Sequence, residues 1–255
     1  MGLVKLVKTK LQNGMDFWYR DDDKYIGERI ALQKYEEYES ELILRNVNIN
    51  SVVVDVGANI GYYTLLLAKV CKKVYAFEPD FDCFKILLKN IAENKLQNVV
   101  AINKAVSDKK EVRAMIKDKS NLGNSRLDVR CQISDIKKIE TVKLDDEIRE
   151  KVDLIKIDVQ GWEPKVIMGA KKMIKKYKPI LFLEFNGDYK MILFLKKYYN
   201  NIFMIDYWFY ILKKDINIDR KTGYADLFLT NKNINIWERY KNLQWKKVIK
   251  TILRY

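Results

Sequence analysis

The sequence predicts an α/β fold built on a mostly parallel, doubly wound sheet. Three observations predict it. Short, continuous apolar runs rich in β-branched residues recur from residue 51 onward, as strands buried on both faces require. Helical segments separate these runs, an alternation that builds βαβ units. A glycine-bearing turn follows the first run, where such sheets bind ligands beyond the carboxyl ends of their strands.

Residues 1–50 read as a helical or irregular extension, with a helix over residues 35–44 leading into the core and an expected role as a substrate cap. Residues 51–56 form the first strand, 57–61 its turn and 62–69 the following helix. The second strand, 73–78, stops at Pro79, which has no N–H to continue a ladder. Residues 81–94 form the second helix, with Phe84, Ile86, Leu87, Leu88 and Ile91 as its apolar positions. Residues 98–103, 152–158 and 179–185 are the third to fifth strands. Residues 202–207 and 226–230 are expected as a C-terminal antiparallel strand pair. The core thus spans residues 51–230.

Residues 231–255 read as a basic amphipathic helix, with Trp237, Tyr240, Leu243, Trp245, Val248, Ile249, Ile252 and Leu253 among lysines. It is expected to pack on the core or to join two copies of the chain as a homo-oligomer. Peripheral contact with an anionic membrane is the alternative.

Composition narrows the chemistry. The chain has 255 residues, 48% hydrophobic and 32% charged, which suits a packed core. No apolar run approaches the roughly 18–20 residues of a membrane span, and lysines interrupt the first residues, so a soluble, cytoplasmic protein is expected. Cys71, Cys83 and Cys131 are scattered, which argues against a disulfide framework or a zinc site. Histidine is absent, which removes histidine bases and the common catalytic triads. The net charge is +14. Much of it lies in the tail, where Lys232, Arg239, Lys241, Lys246, Lys247, Lys250 and Arg254 face Glu238 alone. The core is only mildly basic and gives no strong nucleic-acid signal.

The strongest motif runs Asp55-Val-Gly57-Ala58-Asn59-Ile-Gly61-Tyr-Tyr63-Thr64. Glycines in a strand-to-helix turn let the backbone approach a ligand closely, and the helix start presents free N–H groups. The spacing Gly57-x-x-x-Gly61 is not the G-x-G-x-x-G dinucleotide fingerprint. Asp55 would sit badly against a pyrophosphate and suits a cation. S-adenosylmethionine carries a sulfonium and an ammonium, and no phosphate. Glu78, at the end of the second strand, can accept hydrogen bonds from ribose hydroxyls. NAD also offers such a ribose, so Glu78 discriminates only together with Asp55 and the glycine spacing. Either motif alone is compatible with ordinary α/β punctuation; both in register on consecutive strands point to a ligand site.

Taken together, Asp55 to Thr64, Phe77-Glu78-Pro79, Asn103-Lys-Ala105-Val106-Ser107, Val142-Lys-Leu-Asp145-Asp146 and Ile155-Lys156-Ile-Asp158-Val-Gln160-Gly161-Trp-Glu163 resemble the FkbM methyltransferases. The resemblance covers residues 50 to 190. It implies a Rossmann-like class I methyltransferase fold and S-adenosylmethionine as cofactor, with S-adenosylhomocysteine as product. It implies O-methylation of a small molecule, often a sugar or glycosylated product. Carried over position by position, Asp55, Gly57, Asn59 and Gly61, with Ala58 in the same turn, would line the methionine part of the cofactor. Tyr63 and Thr64 would open the helix beneath it. Glu78, followed by Pro79, would hold the ribose, and Asn103, Ala105 and Val106 would flank the adenine.

An alcohol acceptor must lose its proton at or near transfer. Without histidine, the base candidates are Asp158, Glu163 and Glu184, with Lys156 behind them. Asp158 is favoured; its alternative is to orient the cofactor ammonium or cap the next helix. Glu163 precedes Pro164 and equally suits a helix start. Glu184 lies among Phe182, Leu183 and Phe185, which packing alone does not explain. Asp145, Asp146, Asp158, Glu184 and Asn186 are hard oxygen ligands, but no spacing compels a divalent metal, and no metal site is assigned.

Two other classes remain in view. Base N-methylation expects Asn/Asp-Pro-Pro-Tyr/Phe after the fourth strand, where this chain has Asp158-Val-Gln-Gly, and no cysteine follows a proline as cytosine C5 chemistry needs. Methylation of RNA ribose or of protein stays open. So does a non-catalytic scaffold that keeps the fold, although intact Asp55 and Glu78 argue against it. Acceptor specificity is expected from residues 1–50, 117–135 and 187–225.

Overall fold

The computed structural model describes residues 4–116, 126–128, 137–206, 211–214 and 225–232. The chain opens with strands β1 (Leu6–Lys10) and β2 (Asp16–Arg20), then helices α1 (Gly27–Ala31) and α2 (Glu37–Leu44). There follow β3 (Val52–Val56), α3 (Tyr62–Ala68), β4 (Lys73–Phe77), α4 (Phe81–Glu93) and β5 (Val99–Ile102). Next come β6 (Ala105–Val106), β7 (Val112–Ile116), β8 (Arg126–Asp128), β9 (Lys137–Val142) and α5 (Leu144–Glu147). The chain then returns through β10 (Leu154–Ile157), α6 (Glu163–Gly169), α7 (Lys171–Tyr177), β11 (Ile180–Phe185) and α8 (Tyr189–Leu195). Strands β12 (Asn201–Asp206), β13 (Ile211–Lys214) and β14 (Ala225–Thr230) complete it.

Among the described residues the central sheet has eight strands in the order β13-β12-β14-β11-β10-β3-β4-β5. β11, β10, β3, β4 and β5 are parallel neighbours. β14 runs antiparallel between β11 and β12. This is the expected α/β, mostly parallel, doubly wound sheet with antiparallel strands at its C-terminal side. The chain moves outward from β3 to β5 and then returns to β10, so the switch point lies between β3 and β10, where a ligand crevice is expected. Val56 pairs with Ile157 there, which sets the two strand ends side by side.

Both sheet faces are apolar, because helices cover each of them. The pleat sends Val53 to one side, with Phe17, Ile43, Leu65 and Phe182. It sends Val54 and Val56 to the other, with Ile155, Ile167, Leu183 and Leu227. α4 starts cleanly because the Asp80 side chain accepts from the Asp82 and Cys83 N–H groups.

Three features differ from the sequence expectation. Residues 1–50 are not merely helical or irregular, since β1 and β2 pair as an antiparallel hairpin. α4 docks that hairpin through two asparagines one turn apart. Asn90 accepts from Trp18 N–H at 2.6 Å and donates to its carbonyl at 3.0 Å. Asn94 does the same for Asp16, at 3.0 and 2.7 Å. Second, β6, β9, β7 and β8 form a small separate sheet where the sequence pattern shows no strands. Third, β13 adds an outer strand beyond the expected C-terminal pair. The amphipathic segment 233–255 lies outside the described residues. Among the described residues, no helix is long and apolar enough to cross a membrane.

Candidate active site

The loop after β3 must pass against the loop after β10. At Gly57, with φ +81°, an added Cβ would lie 1.9 Å from the Asp158 carbonyl oxygen, so only glycine fits. At Gly61, with φ +99°, a Cβ would meet Leu87 Cδ1 at 2.7 Å, which keeps α3 close to α4. The Gly57 and Ala58 N–H groups both donate to the Phe77 carbonyl at 3.0 Å, tying this loop to the end of β4. Asn59 takes a left-handed conformation at φ 49°, which asparagine tolerates better than most residues.

That conformation aims the Asn59 N–H at Glu78, 2.8 Å away. The other Glu78 oxygen accepts from the Asp80 N–H at 2.7 Å. Burial pushes the Glu78 carboxyl up to about 7, against the pull of those two donors. Each oxygen keeps a further lone pair for a ligand hydroxyl. The Asn103 amide donates to the Glu78 and Pro79 carbonyls at 2.8 and 3.2 Å, bracing the strand end.

A cavity of about 360 Å³ opens at the carboxyl ends of these strands, toward the small end of the range of about 300–1,000 Å³ for ligand pockets. Of the expected site residues, Gly57, Asn59, Tyr63, Glu78, Pro79, Ala105, Val106, Asp158 and Glu184 form its wall. Asp55, Ala58, Gly61, Thr64 and Glu163 are buried behind it, and Asn103 is exposed and not part of the wall. Asp55 is fully buried, with one oxygen accepting from the Thr64 hydroxyl at 2.7 Å and the other unpartnered. Burial raises its pKa, and Lys156 opposes the shift.

Glu163 is also fully buried. Its Oε1 accepts from the Val159 and Gly161 N–H groups at 3.3 and 3.1 Å, and its Oε2 accepts from the Asn186 amide at 3.0 Å. This geometry corrects the expectation of a base in contact with substrate: Glu163 braces the loop after β10 from behind. Its own pKa is raised by burial.

The other end of the cavity is built from β10 and β11. Lys156 is 4% exposed, its Nζ lying 3.1 Å from Asp158 and 4.7 Å from the Tyr63 ring centroid. Burial works against its ammonium, but Asp158, Asp55 and Glu36 outweigh burial and raise its pKa. Lys156, ranked after the carboxylates as a base candidate, lies on the cavity wall. Asp158 also accepts from the Gln160 amide at 3.3 Å. Glu184 Oε2 is buried and has no hydrogen-bond partner. Burial, then Asp158, Glu163 and Asp226, push Glu184 up to about 8. Asp226, opposite it on β14, is likewise raised to about 8, by burial first and then by Glu36 and Asp158.

Sequence motifs miss part of this wall entirely. Tyr25, Ile26, Arg29, Tyr35 and Glu36 reach it from the N-terminal segment. Glu36 is left-handed at φ 41° and accepts from the Tyr63 hydroxyl at 2.6 Å. Burial raises its pKa, opposed by Lys156. Strained conformations of this kind concentrate at functional sites, and Glu36, Asn59 and Gln160 all line this one cavity.

The hard-oxygen residues do not converge. Asp145 accepts from the Lys172 and Met173 N–H groups of α7, both at 2.8 Å, and Asp146 pairs with Lys143 at 2.9 Å. Among the described residues, no group of three or more Asp, Glu, His or Cys side chains is placed to hold a metal ion. What the cavity offers is a carboxylate at the tip of β4, acids near the switch point, and an unsatisfied side-chain oxygen on Asn59, with the Asp55 carboxyl buried behind it. That donor set fits a ribose-bearing ligand with positive charge and no phosphate.

The model of the methyltransferase FkbM domain matches residues 55–203. Among curated proteins, the chain is similar to methyltransferase sdnD of Sordaria araneosa, 27% identical over 163 residues, covering 50% of this chain and 63% of that protein. It is also similar to the tRNA(Phe) (4-demethylwyosine(37)-C(7)) aminocarboxypropyltransferase of Methanocaldococcus jannaschii, 49% identical over 57 residues, covering 22% of this chain and 23% of that protein. The chain therefore spans less than two thirds of the length of each of these relatives. A solved structure of methyltransferase FkbM from Methylobacillus flagellatus KT aligns at 19% identity with a TM-score of 0.47, covering 72% of this chain and 44% of that one.

Proposed function

The chain belongs to the FkbM methyltransferase family, and from that membership we propose that it methylates a hydroxyl oxygen of a small molecule or glycan, using S-adenosylmethionine. The observation that carries the reading is the division of one cavity into two ends. At one end Glu78 presents a carboxylate at the tip of β4, and at the other Asp158 stands beside Lys156.

When bound, S-adenosylmethionine supplies the methyl group: the acceptor's oxygen–carbon bond forms as the carbon–sulfur bond breaks, and the sulfonium becomes a thioether. Glu78 accepts from the ribose hydroxyls. Gly57 keeps the wall between the loops free of a side chain. Ala105, Val106 and Met115 give a flat ring an apolar seat. Asp158 receives the proton of the acceptor hydroxyl. Glu163 has its Oε1 committed to the Val159 and Gly161 N–H groups and its Oε2 to the Asn186 amide, and burial raises the Glu184 carboxyl to about 8. Lys156 and Gln160 fix the Asp158 carboxylate in place, so that donor and acceptor meet aligned.

The test supplies labelled S-adenosylmethionine with sugars, glycolipids, RNA and protein in parallel. Label is expected in the sugar or glycolipid fraction. Asp158→Asn is expected to lower turnover by about 10²–10⁴ while S-adenosylhomocysteine still binds. Label confined to RNA, or to protein, refutes the small-molecule assignment. The RNA outcome is the one that the tRNA-modifying relative favours, although that protein is matched over only 23% of its length.

A further inference from the structure

At the acceptor end of the cavity carboxyl groups outnumber the cations. Glu36, Asp158 and Glu184 line it. Asp226 stands opposite Glu184 in the β11–β14 ladder. Of the cations on the wall, Arg29 is exposed, and Lys104 lies 3.5 Å from Glu140. Lys156 remains, and Asp158 already engages it at 3.1 Å.

Glu184 is the informative residue. It is 7% exposed, lies on the cavity wall, and its Oε2 has no hydrogen-bond partner. A buried carboxyl oxygen without a partner is destabilising, and such groups call for a function. The cofactor's ribose does not supply the missing partner. Glu78 ends β4, while Glu184 ends β11, three strand spacings away across the order β11-β10-β3-β4, or about 14 Å. On the β3 side the unpartnered side-chain oxygen of Asn59, on the same wall, gives the cofactor's own ammonium a separate acceptor. Glu36, on the N-terminal segment, offers a second carboxylate that already holds the Tyr63 hydroxyl.

We propose that the methyl acceptor carries a protonated amine, which Glu184 and Glu36 bind while the hydroxyl to be methylated faces Asp158. This rests on the methyl-transfer reading above and names its substrate class: a hydroxy-amine, such as an amino alcohol or amino sugar, in preference to a neutral polyol or a hydroxy acid. Burial raises both carboxyls above the ordinary range. An ammonium beside them favours their ionised forms, so its binding releases protons to the buffer.

The experiment uses three small probes that differ in one group: 2-aminoethanol, ethylene glycol and glycolate. Each is titrated at neutral pH into the full chain saturated with S-adenosylhomocysteine, with binding read by ligand-observed NMR. Proton release is read from the buffer dependence of the calorimetric heat. 2-Aminoethanol is expected to bind at least about tenfold tighter than ethylene glycol, with glycolate weakest, as a charge-assisted contact requires. Glu184→Gln and Glu36→Gln are each expected to reduce that preference about tenfold without loss of S-adenosylhomocysteine binding. If Glu184→Gln fails to fold, Glu36→Gln and the wild-type ranking still decide. Equal binding of the amine and the diol, a preference for glycolate, or a preference that survives the substitutions would overturn the proposal. So would an absence of 2-aminoethanol binding to the S-adenosylhomocysteine complex. Failure of S-adenosylhomocysteine to bind is seen first and separately; it removes the methyl-transfer reading, and this proposal with it.

Discussion

Replacing Gly57 with alanine inserts one methyl group where the loops after β3 and β10 meet. The new Cβ would lie 1.9 Å from the Asp158 carbonyl oxygen, whereas real Cβ contacts do not fall below 3.0 Å. Relief demands a relative shift of about 1 Å between two packed loops. The positive φ adds about 1–2 kcal/mol for a residue with a side chain, and overpacking adds about 1–3 kcal/mol. The sum is about 2–5 kcal/mol, or roughly 4–20 °C in Tm for a domain of this size. The same shift carries Asp158 with its carbonyl, and a misplacement of about 1 Å lowers turnover by about 100-fold. Thermal melting and turnover of labelled S-adenosylmethionine, on wild type and Gly57→Ala, read the two effects. A variant with an unchanged melting temperature and unchanged turnover would refute the claim that the two loops form one rigid wall.

Glu78 makes cofactor binding pH-dependent. Its folded value, raised by burial from 4.5 to about 7, means that the folded state holds its proton more tightly than the unfolded chain. Its contribution to stability therefore falls as pH rises through that window, while the anion that accepts ribose hydroxyls appears only toward its upper end. S-adenosylhomocysteine affinity is expected to rise with pH by up to about tenfold per unit below 7 and to level off above it; Glu78→Gln should show no such slope in calorimetric titrations. Lys156→Met leaves Asp158, Asp55 and Glu36 without their shared cation, an expected loss of about 3–5 kcal/mol in urea unfolding. An unchanged midpoint would contradict the assigned role of that ammonium.

The parallel core is legible because burial on both faces writes it as continuous apolar strands; β3 and β11 are buried at every residue. The cofactor end is legible for a related reason. Gly57, Asn59 and Glu78 sit within one βαβ unit, so their chemistry appears at fixed spacing. The acceptor end is not. Glu36 reaches Tyr63 and the neighbourhood of Lys156 only through folding of the N-terminal segment, and nothing local to residues 25–36 announces it. The hairpin hides similarly: β1 alternates exposed with half-buried residues, and it is docked by hydrogen bonds from Asn90 and Asn94, polar side chains that share the helix face of Ile86, Leu87 and Ile91 but carry no hydrophobic signal. Glu163 misleads in the opposite direction. Its place after Gly161 suggests a catalytic carboxylate, but the Val159 and Gly161 N–H groups turn it away from the cavity.

The central claim is that Glu78 and the Gly57–Gly61 turn bind S-adenosylmethionine rather than a dinucleotide. Calorimetric titration of wild type and Glu78→Ala with S-adenosylmethionine, S-adenosylhomocysteine and NAD tests it most directly. Micromolar binding of the first two, lost in Glu78→Ala and absent for NAD, is the expected result. Binding of NAD in their place, or of none of the three, would contradict the account.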